Sequence, residues 1–147
     1  MLERLCLSHN HFTGHLPDSL SSLSTSLQQL VMSHNLLSGE IPAASLAHLT
    51  CLRTLDLQHN RLEGPVAPFF ARMTSLKELH LGFNELQGPM PLLQLGAFQR
   101  GQPPTRRLKV VCLQPNPRMV QPTEEQVARL AKDLPLTNIA VAWKNYT

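Results

Sequence analysis

The sequence has few of the residues that cross-link a small domain by disulfides, and no long apolar segment that would anchor it in a membrane. Its three cysteines, Cys6, Cys51 and Cys112, are an odd number with no close pair, which is not the pattern of a disulfide framework. No apolar run is long enough to mark a candidate transmembrane helix. The first residues lack a basic segment followed by an apolar run, so we expect no signal peptide.

Charge of one sign is also scarce. The formal net charge is +3 with histidine neutral, and the basic residues are scattered except over residues 100–109. So mild a charge gives no reason to expect a nucleic acid or a membrane surface as the partner. Hydrophobic residues make up 42% of the 147, which is enough for the core of one domain.

The clearest positive feature is internal repetition. The pattern L-x-x-L-x-L-x-x-N occurs in four copies that begin at Leu2, Leu27, Leu52 and Leu76, at nearly equal intervals. After each asparagine come an apolar residue, a glycine and a second apolar residue, at steps of two. The glycines are Gly14, Gly39, Gly64 and Gly88. Agreement at so many positions indicates a repeat architecture.

Each copy predicts one short strand in a stack of coils. Because alternate side chains of a strand point to opposite faces, the leucines point inward and the residues between them point outward. The outward positions also include the residue after the third leucine, as at Ser33, Gly82 and Gln114. The asparagine amide can bond backbone groups of neighbouring coils, and the glycine permits backbone angles closed to other residues. Stacked coils then bury a continuous core that one coil could not bury alone.

These repeats resemble the plant-type leucine-rich repeat, L-x-x-L-x-L-S-x-N-x-L-x-G-x-I-P. Residues 8–17 and 33–42 are close to that consensus, and the resemblance extends over residues 1–95. It implies an α/β fold, a right-handed leucine-rich-repeat solenoid (a horseshoe segment) with a parallel sheet on its concave face. In receptor-like proteins of plants, this module recognises peptides, small ligands or co-receptors, so the resemblance implies a binding role.

The regular spacing breaks after Pro91. Residues 96–107 are rich in glycine, proline and arginine and predict a loop insertion. The motif returns at Leu108, later than the regular interval after Leu76 would place it, and it ends at Asn116. This segment predicts a fifth, irregular repeat.

A helix is predicted over residues 122–134. Thr123 and Gln126 have the spacing of a capping box, and the apolar residues that follow fall on one helical face. Residues 136–141 return to L-x-x-L-x-L, as a sixth repeat or a cap, and this helix-bearing part is similar to ribonuclease-inhibitor-type repeats. The predicted organisation is therefore four plant-type repeats over 1–95, an insertion over 96–107, and an irregular fifth repeat, helix and final repeat or cap over 108–147.

One column of outward positions is unusual. His9, His34 and His59 occupy the same place in successive repeats, Phe83 follows, and Trp143 is a candidate for the end of the column. Parallel strands lie about 4.8 Å apart, so these rings should stack, and neighbouring positive charges should lower their pKa values. The alternatives are a metal site, a pH-dependent contact, or a tolerant position in a common variant of the consensus. We favour the tolerant position, because a linear ladder presents at most two imidazoles to one ion.

The function predicted from these features is a scaffold for protein–protein interaction, as in signalling. Known spacing motifs for nucleophiles, metal-dependent hydrolysis and phosphate loops are missing from the sequence, so we expect no enzyme, catalytic residue, metal or cofactor. The alternatives are a fragment of a larger receptor-like or surface protein, and a structural spacer or oligomer edge. The predicted partner-binding residues on the concave face are His9, His34, Arg53, Asp56, His59, Lys77, Glu78, His80 and Phe83.

The expected partner is a protein or a peptide, with self-association through the uncapped first strand as a further possibility. No nucleic acid or membrane span is expected. The unpaired thiols and missing leader favour a cytoplasmic location. A fragment of a receptor-like protein would instead be extracellular or membrane-attached.

Overall fold

The alternating leucines of each repeat form one short strand per coil, as the sequence predicts. A computed structural model of the protein describes residues 1–67, 69–91 and 108–133, and among residues 124–133 it leaves undescribed the side chains at 127 and 130–133. The concave strands are β1 (Arg4–Cys6), β3 (Gln29–Val31), β5 (Thr54–Asp56), β7 (Glu78–His80) and β9 (Val110–Cys112). They pair in parallel in that order, so the fifth repeat joins the same sheet as the first four.

A second set of strands follows the asparagines. β2 (Thr13–Gly14), β4 (Leu36–Glu40) and β6 (Arg61–Glu63) form one parallel sheet, and β8 (Gln87–Pro89) pairs with β10 (Arg118–Val120). These strands were not predicted from the sequence. Their pattern was present in the period-two alternation of apolar residues and glycine after each asparagine.

Short helices complete the coils on the side away from the concave sheet. They are the 3-10 helix at Asp18–Leu23, α1 (Ala43–Leu46) and the 3-10 helix at Phe69–Arg72. Between helices and strands lies the leucine core, in which Leu30, Leu55 and Leu79 are 0% exposed. The first coil has a described neighbour on one side, and its Leu2 and Phe12 are 44% and 45% exposed.

The buried asparagines join adjacent coils by hydrogen bonds, as the repeat pattern predicts. The Nδ2 group of Asn60 donates to the carbonyls of Met32, 3.0 Å away in the preceding coil, and Leu57, 3.1 Å away in its own coil. Its Oδ1 accepts the backbone N–H of Leu37 at 3.0 Å. Asn35, Asn84 and Asn116 repeat this arrangement. Polar backbone groups that would otherwise be buried without partners are thereby satisfied.

The glycine column permits close packing between coils. Gly39 has a φ of 77°, a left-handed conformation that L side chains rarely adopt. A Cβ added to Gly39 would also lie 2.2 Å from Cδ2 of His15, whose ring covers it. At Gly64, with a φ of 78°, the side chain of Glu40 takes the same place. His15 and Glu40 directly follow Gly14 and Gly39, so in both cases the side chain after one glycine covers the glycine of the next coil.

The predicted helix is confirmed as α2 (Glu124–Asp133). Its capping box forms as the spacing predicts: Gln126 N–H donates to Thr123 Oγ1 at 3.2 Å, and Thr123 N–H donates to Gln126 Oε1 at 2.9 Å. The insertion over 96–107, the final repeat over 136–141 and Trp143 lie outside the described residues.

Replacing Asn60 with alanine should destabilise the solenoid by about 2–4 kcal/mol, because buried backbone groups of two coils lose their partners. The free energy of unfolding in urea measures this loss. The matched control is Asn10→Ala in the first coil, where the exposed side chain donates only to the carbonyls of Leu7 and Ser8. The control should cost under about 1 kcal/mol. Equal losses in the two variants would contradict the role assigned to inter-coil bonding.

Candidate functional site

The concave sheet carries its outward side chains in straight rows that run from coil to coil. One row contains Arg4, Gln29, Thr54, Glu78 and Val110, and the next contains Cys6, Val31, Asp56, His80 and Cys112. A third row lies just before the strands. Backbone hydrogen bonds join its members from coil to coil, in the order Glu3, Gln28, Arg53, Lys77 and Lys109. We call these three rows, together with the ring column described below, the concave face.

Five of the predicted binding residues are brought together, three on the neighbouring strands β5 and β7 and two just before them. Asp56 is the register partner of His80, and Glu78 lies opposite Thr54, whose hydroxyl donates to Glu78 Oε2 at 3.2 Å. Arg53 and Lys77 are joined by a backbone bond of 2.8 Å just before these strands. The structure thus places positive, negative and neutral polar groups side by side near the middle of the sheet.

At three positions the residue after the third leucine is not part of this surface, and the expectation that it points outward is wrong there. Ser33, Gly82 and Gln114 are buried, because the chain bends out of the strand there and adjacent coils approach closely. A Cβ added to Gly82 would lie 2.3 Å from the carbonyl oxygen of Gln114. Gln114 in turn uses its Oε1 to accept the N–H of Asn116 at 3.0 Å.

The predicted column of rings is confirmed. His9 and His34 stack with centroids 4.2 Å apart, His34 and His59 at 4.1 Å, and His59 and Phe83 at 4.0 Å. The planes of successive rings differ by 11° to 14°. We call His9, His34, His59 and Phe83 the ring column.

The backbone of the ring column was not predicted. All four residues have a positive φ, from 53° to 56°, a conformation uncommon outside glycine, although His tolerates it better than most residues. The N–H of His59 donates to the carbonyl of Gly82 at 3.1 Å, and that of His34 donates to Gln58 at 3.1 Å. Since each coil bonds the next in this way, the rings are held in one stacked orientation.

Burial lowers the pKa of His59, and the neighbouring His34 lowers it further. The carboxylate of Asp56 acts in the opposite direction, and His9 makes a smaller contribution that lowers the pKa. At His59 the direction agrees with the expectation for stacked imidazoles, although burial is a larger cause than the neighbouring ring. His59 therefore favours the neutral form in the folded protein.

The thiol of Cys112 ends the row that contains Asp56 and His80. Burial raises its pKa, and the Asp56 carboxylate raises it further against opposing backbone hydrogen bonds. A raised pKa keeps the thiol protonated, which makes it a weak nucleophile. Within residues 1–67, 69–91 and 108–133, no group of three or more His, Cys, Asp or Glu side chains is arranged to hold a metal ion. The described helices are also too short or too polar to cross a membrane.

Replacing His59 with phenylalanine should reduce the loss of stability on acidification. Because the folded-state pKa of His59 is lowered, the unfolded chain takes up the proton first. Stability is therefore lost as the pH falls below about 6.5 towards the folded pKa. Phenylalanine keeps the stacking surface, as Phe83 shows at the same φ, but cannot titrate. Urea unfolding from about pH 8 to about pH 5 compares the two proteins. An equally steep loss in both would show that His59 does not contribute.

Comparison with known proteins agrees with this architecture. Residues 1–62 match a family profile described as "Leucine rich repeat", and residues 72–89 match a second, described as "Leucine Rich repeat". No curated protein matches the chain by sequence.

Solved structures of plant proteins share the fold. A chain of the BIR3–SERK2 complex from Arabidopsis thaliana is 33% identical, with a TM-score of 0.71 over 85% of this chain and 61% of that one. The leucine-rich-repeat ectodomain of the Arabidopsis receptor kinase HAESA, in complex with an N-terminally extended IDA peptide hormone, is 32% identical, with a TM-score of 0.69 over 85% of this chain and 20% of that one. A plant ice-binding protein is 36% identical, with a TM-score of 0.61 over 66% of this chain and 31% of that one.

The chain therefore spans less than two thirds of each of these relatives. The repeat profiles, the parallel concave sheet and the asparagines that join its coils lead to one conclusion: the chain belongs to the leucine-rich repeat proteins, with repeats of the plant type.

Proposed function

We propose that this chain is a protein-interaction module that binds a protein or peptide partner on its concave face. The observation that carries the proposal is the five-stranded parallel sheet, which aligns partly or fully exposed side chains of mixed charge in continuous rows. A partner lying across several coils would meet a fixed pattern of donors, acceptors and charges, because the strands hold the rows in register. Such a surface suits a long, shallow contact.

The centre of contact is proposed at Asp56, His59, Lys77, Glu78, His80 and Phe83. Phe83 is 37% exposed and ends the ring column beside the charged rows. An apolar ring beside hydrogen-bonding groups is the composition that interface hot spots favour. The remaining predicted residues, His9, His34 and Arg53, extend the contact towards the first coil.

The structural relatives support a binding role without identifying the partner. The HAESA structure holds a peptide hormone, and BIR3 and SERK2 bind each other. The same fold occurs in a plant ice-binding protein, so the surface rather than the fold must decide the ligand. We propose that the chain is a segment of a larger receptor-like protein and is extracellular, since HAESA is matched in its ectodomain. The comparisons lend no support to the cytoplasmic location expected from the sequence.

We propose no catalytic role for this surface. The row of Asp56, His80 and Cys112 holds the side-chain types of a nucleophile, a base and an orienting acid, but the raised pKa of Cys112 opposes thiolate formation. Self-association through the edge of β1, where Leu2 is exposed, stays a prediction.

Selection from a displayed random-peptide library, followed by calorimetric titration of the enriched peptides, tests the proposal. Replacing His59 with asparagine and His80 with alanine should weaken an enriched peptide by about 1–3 kcal/mol, because both side chains lie at the proposed centre. Asparagine is chosen because it also tolerates a positive φ.

The matched control replaces Arg61 and Glu63 with alanine in the same coil. Both are exposed on β6, away from the concave face, and their loss should change affinity by less than about twofold. Equal weakening by the two double variants would place the contact elsewhere. Failure to enrich any peptide would count against a peptide-binding module.

A further inference from the structure

Resting on the proposed function, we infer that the concave sheet binds an acidic peptide segment along the amino-terminal ends of its strands. The peptide would lie along the axis of the solenoid. The cationic strip that would receive it consists of Arg53, Lys77 and Lys109, which occupy the same row in three successive coils. Lys109 belongs to the basic segment 100–109, a candidate contact for an acidic surface, but it was not among the concave-face residues predicted to bind a partner. It lies further along the chain from Lys77 than one regular repeat, and the sheet nevertheless places the two residues side by side.

Backbone hydrogen bonds fix the strip. The N–H of Lys77 donates to the carbonyl of Arg53 at 2.8 Å, and the N–H of Lys109 donates to that of Lys77 at 2.6 Å. Neighbouring parallel strands are about 4.8 Å apart, so the three Cα atoms span about 10 Å. Arg53 and Lys109 are exposed and Lys77 is partly exposed. Three long cationic side chains therefore emerge close together at one edge of the sheet.

The positive charge of the strip is not neutralised within the described part of the chain. The described ion pair there is Arg118 with Glu85, 3.4 Å apart, and it involves none of the three strip residues. Two carboxylates of the adjacent rows have other partners: Glu78 accepts the hydroxyl of Thr54, and Asp56 accepts the N–H of Gln58 at 3.1 Å. The strip is therefore available to a carboxylate from outside.

The same row changes sign along the axis. It begins with Glu3, continues with the neutral Gln28, and then reaches the three cations. The N–H of Gln28 donates to the carbonyl of Glu3 at 2.7 Å, and that of Arg53 donates to Gln28 at 2.7 Å, so the five residues form one row. A peptide with carboxylates at one end would be oriented by this gradient, with its acidic end towards Lys109.

An extended peptide fits the dimensions of the strip. Alternate side chains of an extended chain point the same way and lie about 6.7 Å apart, so two or three acidic residues at alternating positions cover about 7–13 Å. The long arms of arginine and lysine absorb the remaining difference in spacing. A nucleic acid fits less well, because a continuous line of phosphates extending past the strip would meet Glu3 in the same row, where a peptide can carry a neutral or basic side chain.

Fluorescence anisotropy with synthetic labelled peptides tests the inference. The probe is a peptide of alternating glutamate and threonine, and the reference is the same peptide with glutamine for glutamate. We expect the glutamate peptide to bind about tenfold more tightly at about 50 mM salt, and the preference to shrink at about 300 mM salt because exposed charges are screened. Equal affinities for the two peptides would overturn the inference.

Two triple variants that remove the same charge distinguish the effect of the strip from the effect of the net charge of the protein. Arg53→Gln, Lys77→Gln and Lys109→Gln together should remove the preference for the glutamate peptide. Arg61→Gln, Arg72→Gln and Arg129→Gln remove the same charge from exposed positions outside the concave sheet and should leave the preference within about twofold. Equal losses in the two triple variants would overturn the inference.

A charge-reversed protein excludes simple failure to fold. Arg53→Glu, Lys77→Glu and Lys109→Glu together should transfer the preference to a peptide of alternating lysine and threonine. Tighter binding of a labelled single-stranded oligonucleotide than of the glutamate peptide by the unaltered chain would overturn the inference in favour of a polyanion site. The two proposals can fail separately. If library-selected peptides need His59 and His80, but the affinity of the glutamate peptide is unchanged when the strip is replaced, this inference fails and the proposed function stands.

Discussion

The buried asparagine amide is the interaction on which the rest of this structure depends. A leucine coil can bury its side chains only by bringing backbone carbonyls and N–H groups into the same dry region. Asn60 joins both kinds of group, donating to the carbonyl of Met32 in one neighbouring coil and accepting the N–H of Leu37. One side chain per coil thereby fixes the distance between coils. The parallel register of the concave rows follows from that spacing.

Much of this arrangement could be predicted from residue spacing. The leucine and asparagine positions predicted the concave sheet, and the common position of His9, His34 and His59 predicted their stacking, because parallel strands set the distance between rings. Thr123 and Gln126 predicted the start of α2. Each of these features rests on a short repeated pattern or a local hydrogen bond, which sequence spacing encodes directly.

What could not be predicted depends on how coils approach one another. The burial of Ser33 and Gly82 follows from the bend at the end of each strand, and a pattern of alternating residues does not contain that bend. The left-handed backbone conformation of Phe83 could not be predicted for the same reason, since a bulky residue rarely adopts it without support from neighbouring coils. The strip that ends at Lys109 required the pairing of β7 with β9 across an irregular interval.

The side-chain hydrogen bonds that join the first four coils cross sequence intervals close to the length of one repeat. The solenoid therefore has a nearly constant repeat length, and any change in chain length must match it. Duplicating or excising one whole coil between equivalent points, such as Gln28 and Arg53, would return each leucine to the core and each asparagine to its place in the ladder. Losing a single residue within a strand would turn the following leucines to the outer face. A gene encoding such a chain can thus change the length of its concave face by recombination between repeats, while small deletions in the same region are poorly tolerated.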